Sequence, residues 1–388
     1  MNILIVDDNP MNVMVVREIL NRAGYDRTFT AHSADEMFRI LRPEGGDGRG
    51  SEARGLAADL ILLDLMMPSV DGIEACRMLQ REEKLRDIPV IMVTAIGDSR
   101  KLAEALDAGA TDYVTKPINK VELLARIRSA LRLKRELNRH RERDLRVREE
   151  LELARQVQEA VLPDDLDEEG FRLKAYFRAS EQLAGDLYAW HAFDRRRLTV
   201  AVMDAMGHGI SSSLISMFTA SVLKEAMRTQ TSPAQLAAEV NRRLVQLQYE
   251  NELVRYYCTG ICARIDLERG EMEYINAGHP PGILLRREGS AEPLALTGPP
   301  VGLFERLELD TRTVPLRPGD AVHLYTDGLL DLFPGDADDK RASLTRFLVA
   351  AEGDDGKLGE LLVRPSLEGR SDDRCLVRLD VKMRGSAG

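Results

Sequence analysis

Over the first 120 residues, short apolar runs alternate with segments of helical spacing. Residues 3–6 (Ile-Leu-Ile-Val), 59–63, 89–93 and 112–114 read as strands, while 12–23, 72–79 and 99–108 carry apolar residues three and four apart. Runs without polar alternation belong to strands buried on both faces. Their alternation with helices predicts a doubly wound α/β domain with a parallel sheet. Ligands of such sheets lie beyond the carboxyl ends of the strands. Between 42 and 58 the chain holds Pro-Glu-Gly-Gly-Asp-Gly-Arg-Gly-Ser, a Gly-rich insertion of loop character.

From 121 to 162 there is neither Gly nor Pro, and Pro163 ends the stretch, so one long helix is expected. A heptad register fits it. Leu123, Ala130, Leu137, Asp144, Leu151 and Gln158 fall at a; Arg126, Leu133, His140, Val147, Ala154 and Val161 fall at d. The seam is mainly apolar and is interrupted around His140 and Asp144. This predicts a dimeric coiled-coil linker with a weak centre; a long amphipathic helix lying on its own domain is the alternative. Beyond 165 the pattern changes. Strand-like segments at 198–202, 257–265, 271–276, 321–325 and 375–379 are separated by turns and by helical stretches at 210–228 and 233–247. Antiparallel strands with segregated helices make an α+β domain.

The 388 residues, 44% hydrophobic and 30% charged, suit a folded protein of two or three domains. No apolar run approaches the roughly 18 residues of a membrane span, and the N-terminus lacks the flanks of a signal peptide, so a cytoplasmic location is expected. Four cysteines are too few for a disulfide framework; Cys258 and Cys262 read as buried thiols. The net charge of −10 disfavours nucleic acid as a partner, and the basic stretch from 132 to 150 reads as a solvated helix face.

Two acidic constellations carry the chemistry. In the first domain every functional group follows a predicted strand: Asp7 and Asp8 the first, Asp64 the third, Thr94 the fourth, Lys116 the fifth. Three carboxylates at one sheet edge repel one another unless a hard divalent cation joins them, and Mg²⁺ suits oxygen ligands. The segments Val6-Asp-Asp-Asn9, Leu63-Asp-Leu-Met-Met-Pro68, Asp71-Gly72, Val93-Thr-Ala95 and Tyr113-Val-Thr-Lys-Pro117 resemble those of a response-regulator receiver domain. The resemblance implies Asp64 as phospho-acceptor and Mg²⁺ held by Asp8, Asp64 and the Met66 carbonyl, with Asp7 helping through water. It also implies Thr94 and Lys116 on the phosphoryl oxygens and Tyr113 as the switch aromatic.

In the second domain the acids stand in Gly185-Asp-Leu-Tyr188, Asp204-Ala-Met-Gly-His-Gly209, Thr326-Asp-Gly328 and Ser371-Asp-Asp373, with Asn276-Ala-Gly-His-Pro-Pro281 between them. Four carboxylates with one bridging ligand can hold two divalent cations about 3.5–4 Å apart. Together with residues 153–163 (Leu-Ala-Arg-Gln-Val-Gln-Glu-Ala-Val-Leu-Pro), these motifs resemble the SpoIIE/RsbU subfamily of metal-dependent type 2C (PPM) phosphatases, whose fold is an antiparallel β-sandwich. The resemblance implies that Asp186 ligates one Mn²⁺ or Mg²⁺ and Asp204 bridges two. The Ala205 carbonyl would complete the first site, and Asp327 and Asp372 would hold the second. Ala184, Asp331 and Cys375 depart from the subfamily pattern without removing a metal carboxylate. His208 and His279 read as structural rather than catalytic.

The expected organisation is a receiver over 1–125, a helical linker over 126–162 and a phosphatase over 163–384. The resemblances imply a cognate histidine kinase, a phosphorylated anti-sigma factor antagonist (a STAS protein) as substrate, and a homodimer through the linker. The rival reading is a non-catalytic adaptor that binds a sigma factor or its regulator. Such an adaptor has no use for Asp186, Asp204, Asp327 and Asp372 together.

Overall fold

The structure, a computed structural model, describes residues 1–42, 56–95, 99–229, 232–247, 256–367, 369 and 372–383. Most of the Gly-rich insertion and Ser371 lie outside these. The chain divides into two compact units, Met1–Val147 and Arg148–Gly388. No helix among the described residues is long and apolar enough to cross a membrane.

The first unit alternates β1 (Ile3–Val6), α1 (Pro10–Arg22), β2 (Thr28–Ala31), α2 (Ala34–Leu41), β3 (Leu60–Asp64), α3 (Gly72–Arg81), β4 (Val90–Thr94), α4 (Ser99–Asp107), β5 (Asp112–Thr115) and α5 (Lys120–Val161). The sheet is parallel, in the order β2-β1-β3-β4-β5. Its strands are apolar on both faces, and a hydrophobic core lies on each: Leu4, Val6, Ile61 and Leu63 contribute to one, Ile3, Ile5, Leu60 and Leu62 to the other. The register pairs Val6 with Leu63, Asp64 with Val93 and Thr94 with Thr115, so the strand ends stand level at one edge.

The long helix is present, but its seam is not continuous. Leu123 and Ala130, placed in the heptad stripe, are buried with Ile127 and Leu131 in the core of the first unit. Arg126, at a d position, pairs with Asp112 and Glu122. Farther on, Lys134 Nζ donates to the Asp87 carbonyl (2.9 Å) and Arg141 pairs with the Asp87 carboxylate. Leu133, Leu137 and Val147 are exposed. At the far end Gln158 is buried in the second unit. An apolar repeat cannot distinguish a position that faces its own domain from one that faces a second copy, which is why the sequence extends the seam too far in both directions.

The second unit contains β6 (Leu166–Asp167), β7 (Phe171–Arg178), β8 (Asp186–Ala192), β9 (Arg197–Ala205), α6 (Ile210–Thr229), α7 (Pro233–Gln246), β10 (Cys258–Asp266), β11 (Glu271–Ala277), β12 (Gly282–Leu285), β13 (Ala291–Leu294), β14 (Arg312–Pro315), β15 (Ala321–Tyr325), a 3-10 turn (Asp327–Leu332), α8 (Ala337–Ala351), α9 (Asp355–Val363) and β16 (Arg374–Val381). Two antiparallel sheets, β14-β11-β10-β9-β8 and β13-β12-β15-β16-β7-β6, enclose a core that includes Phe171, Val200, Ile261, Tyr274, Leu324 and Val377. Helices α6 and α7 cover the first sheet's other face with Leu223, Leu236 and Leu244; α8 and α9 cover the second's with Leu344, Leu358 and Leu361. Cys258 and Cys262, four apart on β10, share one face and are buried thiols.

Candidate functional site

In the first unit, β1 leads into Asp7 and Asp8, β3 ends on Asp64, β4 ends on Thr94, and Lys116 follows β5. Carboxylate oxygens of Asp7, Asp8 and Asp64 lie within 4.8 Å of one another. Asp7, Asp64 and Thr94 are buried, whereas Asp8 is exposed. Lys116 Nζ donates to Asp7 Oδ2 (2.9 Å) and Asp64 Oδ1 (3.0 Å), and Asp7 Oδ1 accepts from Asn9 N (2.9 Å) and Asn12 Nδ2 (3.0 Å). Burial pushes the Asp64 carboxyl above its ordinary value; the Lys116 bond opposes the rise and the charge on Asp7 adds to it. For Lys116, burial acts to lower the ammonium, but its bonds to Asp7 and Asp64 leave it raised.

The start of α3 closes on this edge. Asp71 caps it by accepting Glu74 N (2.8 Å), and a Cβ on Gly72 would stand 2.3 Å from the Asp64 carbonyl oxygen, so only glycine fits there. Met66 is exposed. Tyr113 is half-buried on β5, with the Arg126 guanidinium 5.3 Å from its ring centroid. The donor set is all oxygen and carries one ammonium against three carboxylates, which fits a hard dication.

In the second unit, Asp186 opens β8 and Asp204 lies on β9, directly opposite it in the antiparallel register. Like charges in that position repel. Burial, followed by the Asp204 charge, raises Asp186 well above the carboxylate range. Asp204 is pushed up to about 8 by burial, then by Asp327, Asp372 and Asp373. Asp327, at the start of the 3-10 turn, is raised by burial and then by Asp372; Asp372 is raised chiefly by burial. All four predicted acids thus act on one electrostatic centre. They are spread more widely than Asp7, Asp8 and Asp64, the only group of three or more among the described residues within mutual 4.8 Å reach. Ala205, buried at the end of β9, donates its N–H to the Gly185 carbonyl (3.3 Å). A Cβ on Gly328 would lie 2.0 Å from the Asp373 carbonyl oxygen, so this glycine lets the Thr326–Gly328 turn touch the entrance to β16. An oxygen-only set whose carboxyls are all raised by burial and by the charges of neighbouring acids fits divalent cations.

Three supporting residues lay outside the sequence-predicted set. Thr326 Oγ1 donates to Asp186 Oδ2 (2.7 Å) and accepts from Cys375 N (3.0 Å). Asp373, buried beside Asp372, accepts Ser180 N on Oδ1 (2.7 Å) and Gly185 N on Oδ2 (2.6 Å). Gln158 of α5 donates to the Ala184 carbonyl (2.7 Å) and accepts Ala184 N (3.0 Å). Thr326 and Asp373 sit inside the motifs that flagged the acids. Gln158 looked like one more polar interruption of the heptads.

The departures have local explanations. Ala184 is engaged through its backbone, Asp331 pairs with Lys340 (3.1 Å), and Cys375 contributes its N–H while burial keeps its thiol protonated. His208 is exposed, 3.8 Å from Glu181. His279 is buried with Nδ1 2.8 Å from Thr259 Oγ1, and burial pushes it down to about 4, so it is neutral at pH 7.

Residues 194–382 match the family model of stage II sporulation protein E (SpoIIE), and residues 3–128 match that of the response regulator receiver domain. Phosphoserine phosphatase RsbP of Bacillus subtilis is 33% identical over 246 residues, spanning 61% of this chain and 59% of RsbP. The DNA-binding dual master transcriptional regulator RpaA of Synechocystis is 41% identical over 130 residues, 34% of this chain and 48% of RpaA. The chain therefore spans about half to three-fifths of the length of these curated relatives. Among solved structures, the SiaA-PP2C domain of Pseudomonas aeruginosa has the same fold, with a TM-score of 0.52 at 18% identity over 62% of this chain and 98% of that one.

Proposed function

We propose that the chain is a response regulator whose receiver domain is joined in one polypeptide to a SpoIIE-type phosphatase domain of the PPM family, and that its output is metal-dependent hydrolysis of phosphoserine or phosphothreonine on a protein. The observation that carries this reading is the cross-strand pair Asp186 and Asp204, with the charges of Asp327 and Asp372 acting on the same point. An acidic centre this repulsive is useful only to a cation. Asp186 and the Ala205 carbonyl would hold one Mn²⁺ or Mg²⁺, Asp327 and Asp372 would hold the second, and Asp204 would serve both. When bound, two such ions supply an activated water and neutralise charge on the phosphoryl group.

The protein substrate is an anti-sigma factor antagonist of the STAS class, supported by the SpoIIE match and by the likeness to a phosphoserine phosphatase. Input comes from a histidine kinase through Asp64. Asp8, Asp64 and the Met66 carbonyl would hold Mg²⁺ with Asp7 assisting through water, Thr94 and Lys116 would meet the phosphoryl oxygens, and Tyr113 would report the change. Self-association runs through the exposed stretch of α5 around Leu133, Leu137 and Val147.

The test is phosphate release from phosphorylated STAS proteins with and without Mn²⁺. Asp204→Asn, nearly isosteric, is expected to lower turnover by orders of magnitude while folding is kept. Undiminished wild-type activity in chelator would rule the two-metal reading out.

A further inference from the structure

The chain leading to Asp186 is tied down by groups outside the proposed ligand set. Both oxygens of the Asp373 carboxylate are engaged by backbone donors, Ser180 N at 2.7 Å and Gly185 N at 2.6 Å. The segment from 180 to 185 is therefore fastened to the entrance of β16, and its last residue adjoins Asp186. On the side chain of Asp186 itself, the Thr326 hydroxyl gives its proton to Oδ2 at 2.7 Å, while its oxygen accepts Cys375 N at 3.0 Å. That backbone donor fixes which way the hydroxyl points. Both supports are buried, Asp373 at 7% exposure and Thr326 at 0%, so water does not compete for these bonds.

We propose that Asp373 and Thr326 are positioning residues for the metal centre: they lock Asp186 so that Oδ1 is the oxygen it offers to a cation, and Asp373 ligates nothing although it adjoins Asp372. The inference rests on the phosphatase reading above. Its physical basis is that outer partners fix the orientation of a metal-binding carboxylate before the ion arrives, so less order is lost on binding. Asp373 adds a second effect. Its charge acts on Asp186, Asp204 and Asp372, deepening the negative potential that draws cations in without occupying a coordination position.

The experiment is a calorimetric titration of the full chain with Mn²⁺, run beside the Mn²⁺ dependence of phosphate release, for wild type, Thr326→Val, Asp373→Asn and Asp372→Asn. Thr326→Val and Asp373→Asn are expected to bind the wild-type number of Mn²⁺ ions with affinity weakened about 10- to 100-fold, and to regain turnover at saturating Mn²⁺. Asp372→Asn is expected to lose an equivalent that no concentration restores. If Asp373→Asn loses an equivalent in the same way, Asp373 is itself a ligand and the assignment is wrong. If Thr326→Val melts lower in chelator yet binds Mn²⁺ with wild-type affinity, its role is structural only and the proposal falls, whether or not Asp373→Asn folds. Wild-type protein that takes up no Mn²⁺ overturns the metal-centre reading beneath it.

Discussion

Gly72 and Gly328 perform one task in two unrelated folds. Each lets a helical turn rest on the backbone beside a functional acid, where a methyl group would overlap a carbonyl oxygen that cannot rotate away. The acids themselves were legible because chemistry confines them to strand ends and because glycine marks each turn. Thr326 and Asp373 were not, since their importance lies in bonds to residues 140 and 193 positions away in the chain. At Asp64, burial and the Asp7 charge favour a neutral carboxyl, and Lys116 opposes them. Incubation with acetyl phosphate and Mg²⁺ should place an acid-stable, base-labile label on the protein. Asp64→Asn should abolish it; a persistent label would move the acceptor to another residue.

Among the elements, α5 shows both what a pattern can specify and where it stops. The lack of Gly and Pro was enough to predict one helix, and Lys120–Val161 is one helix. Its burial was hidden, because Leu123 and Gln158 look alike in a heptad whether they serve a seam or a domain. The sequence pattern does not specify strands β2, β6–β8 and β12–β14 or helices α2, α8 and α9, whose places are set by the sheets they join or cover. For the proposed self-association there remains the exposed middle of α5, with His140 and Asp144 at the centre of its heptads. Replacing both with Leu should raise the association constant in sedimentation equilibrium and hold phosphatase output at one level regardless of Asp64 phosphorylation. An unaltered response in that variant, or a wild type that is monomeric in both states, would exclude the helix as the coupling element.

At the scale of the whole molecule, stability is tied to solution conditions through buried groups in the second unit. Burial, aided by Arg378, pushes His323 down to about 3, so it stays neutral in the fold where the unfolded chain takes a proton near pH 6.5. From pH 6.5 downward the unfolded state binds the extra proton, and this histidine's contribution to stability falls by about 1.4 kcal/mol per pH unit. The acids of the proposed metal centre titrate in the opposite sense, being protonated more readily in the fold. The histidine is therefore read as the difference between wild type and His323→Leu in urea melts at pH 7, 6 and 5. That difference should move in favour of the variant as pH falls; a constant difference would mean that His323 is protonated in the native state. The register that sets Asp186 against Asp204 has a wider consequence. Two acids facing each other across a pair of strands oppose the pairing that makes the domain, so under the proposed two-metal reading cation uptake and folding would form one equilibrium. Each ion at a hundredfold excess over its dissociation constant adds about 2.7 kcal/mol to the folded state. Melting temperature and protease resistance should climb with Mn²⁺ and fall in chelator. In a cell short of that ion, the protein's own lifetime, and not only its activity, would be set by the metal supply.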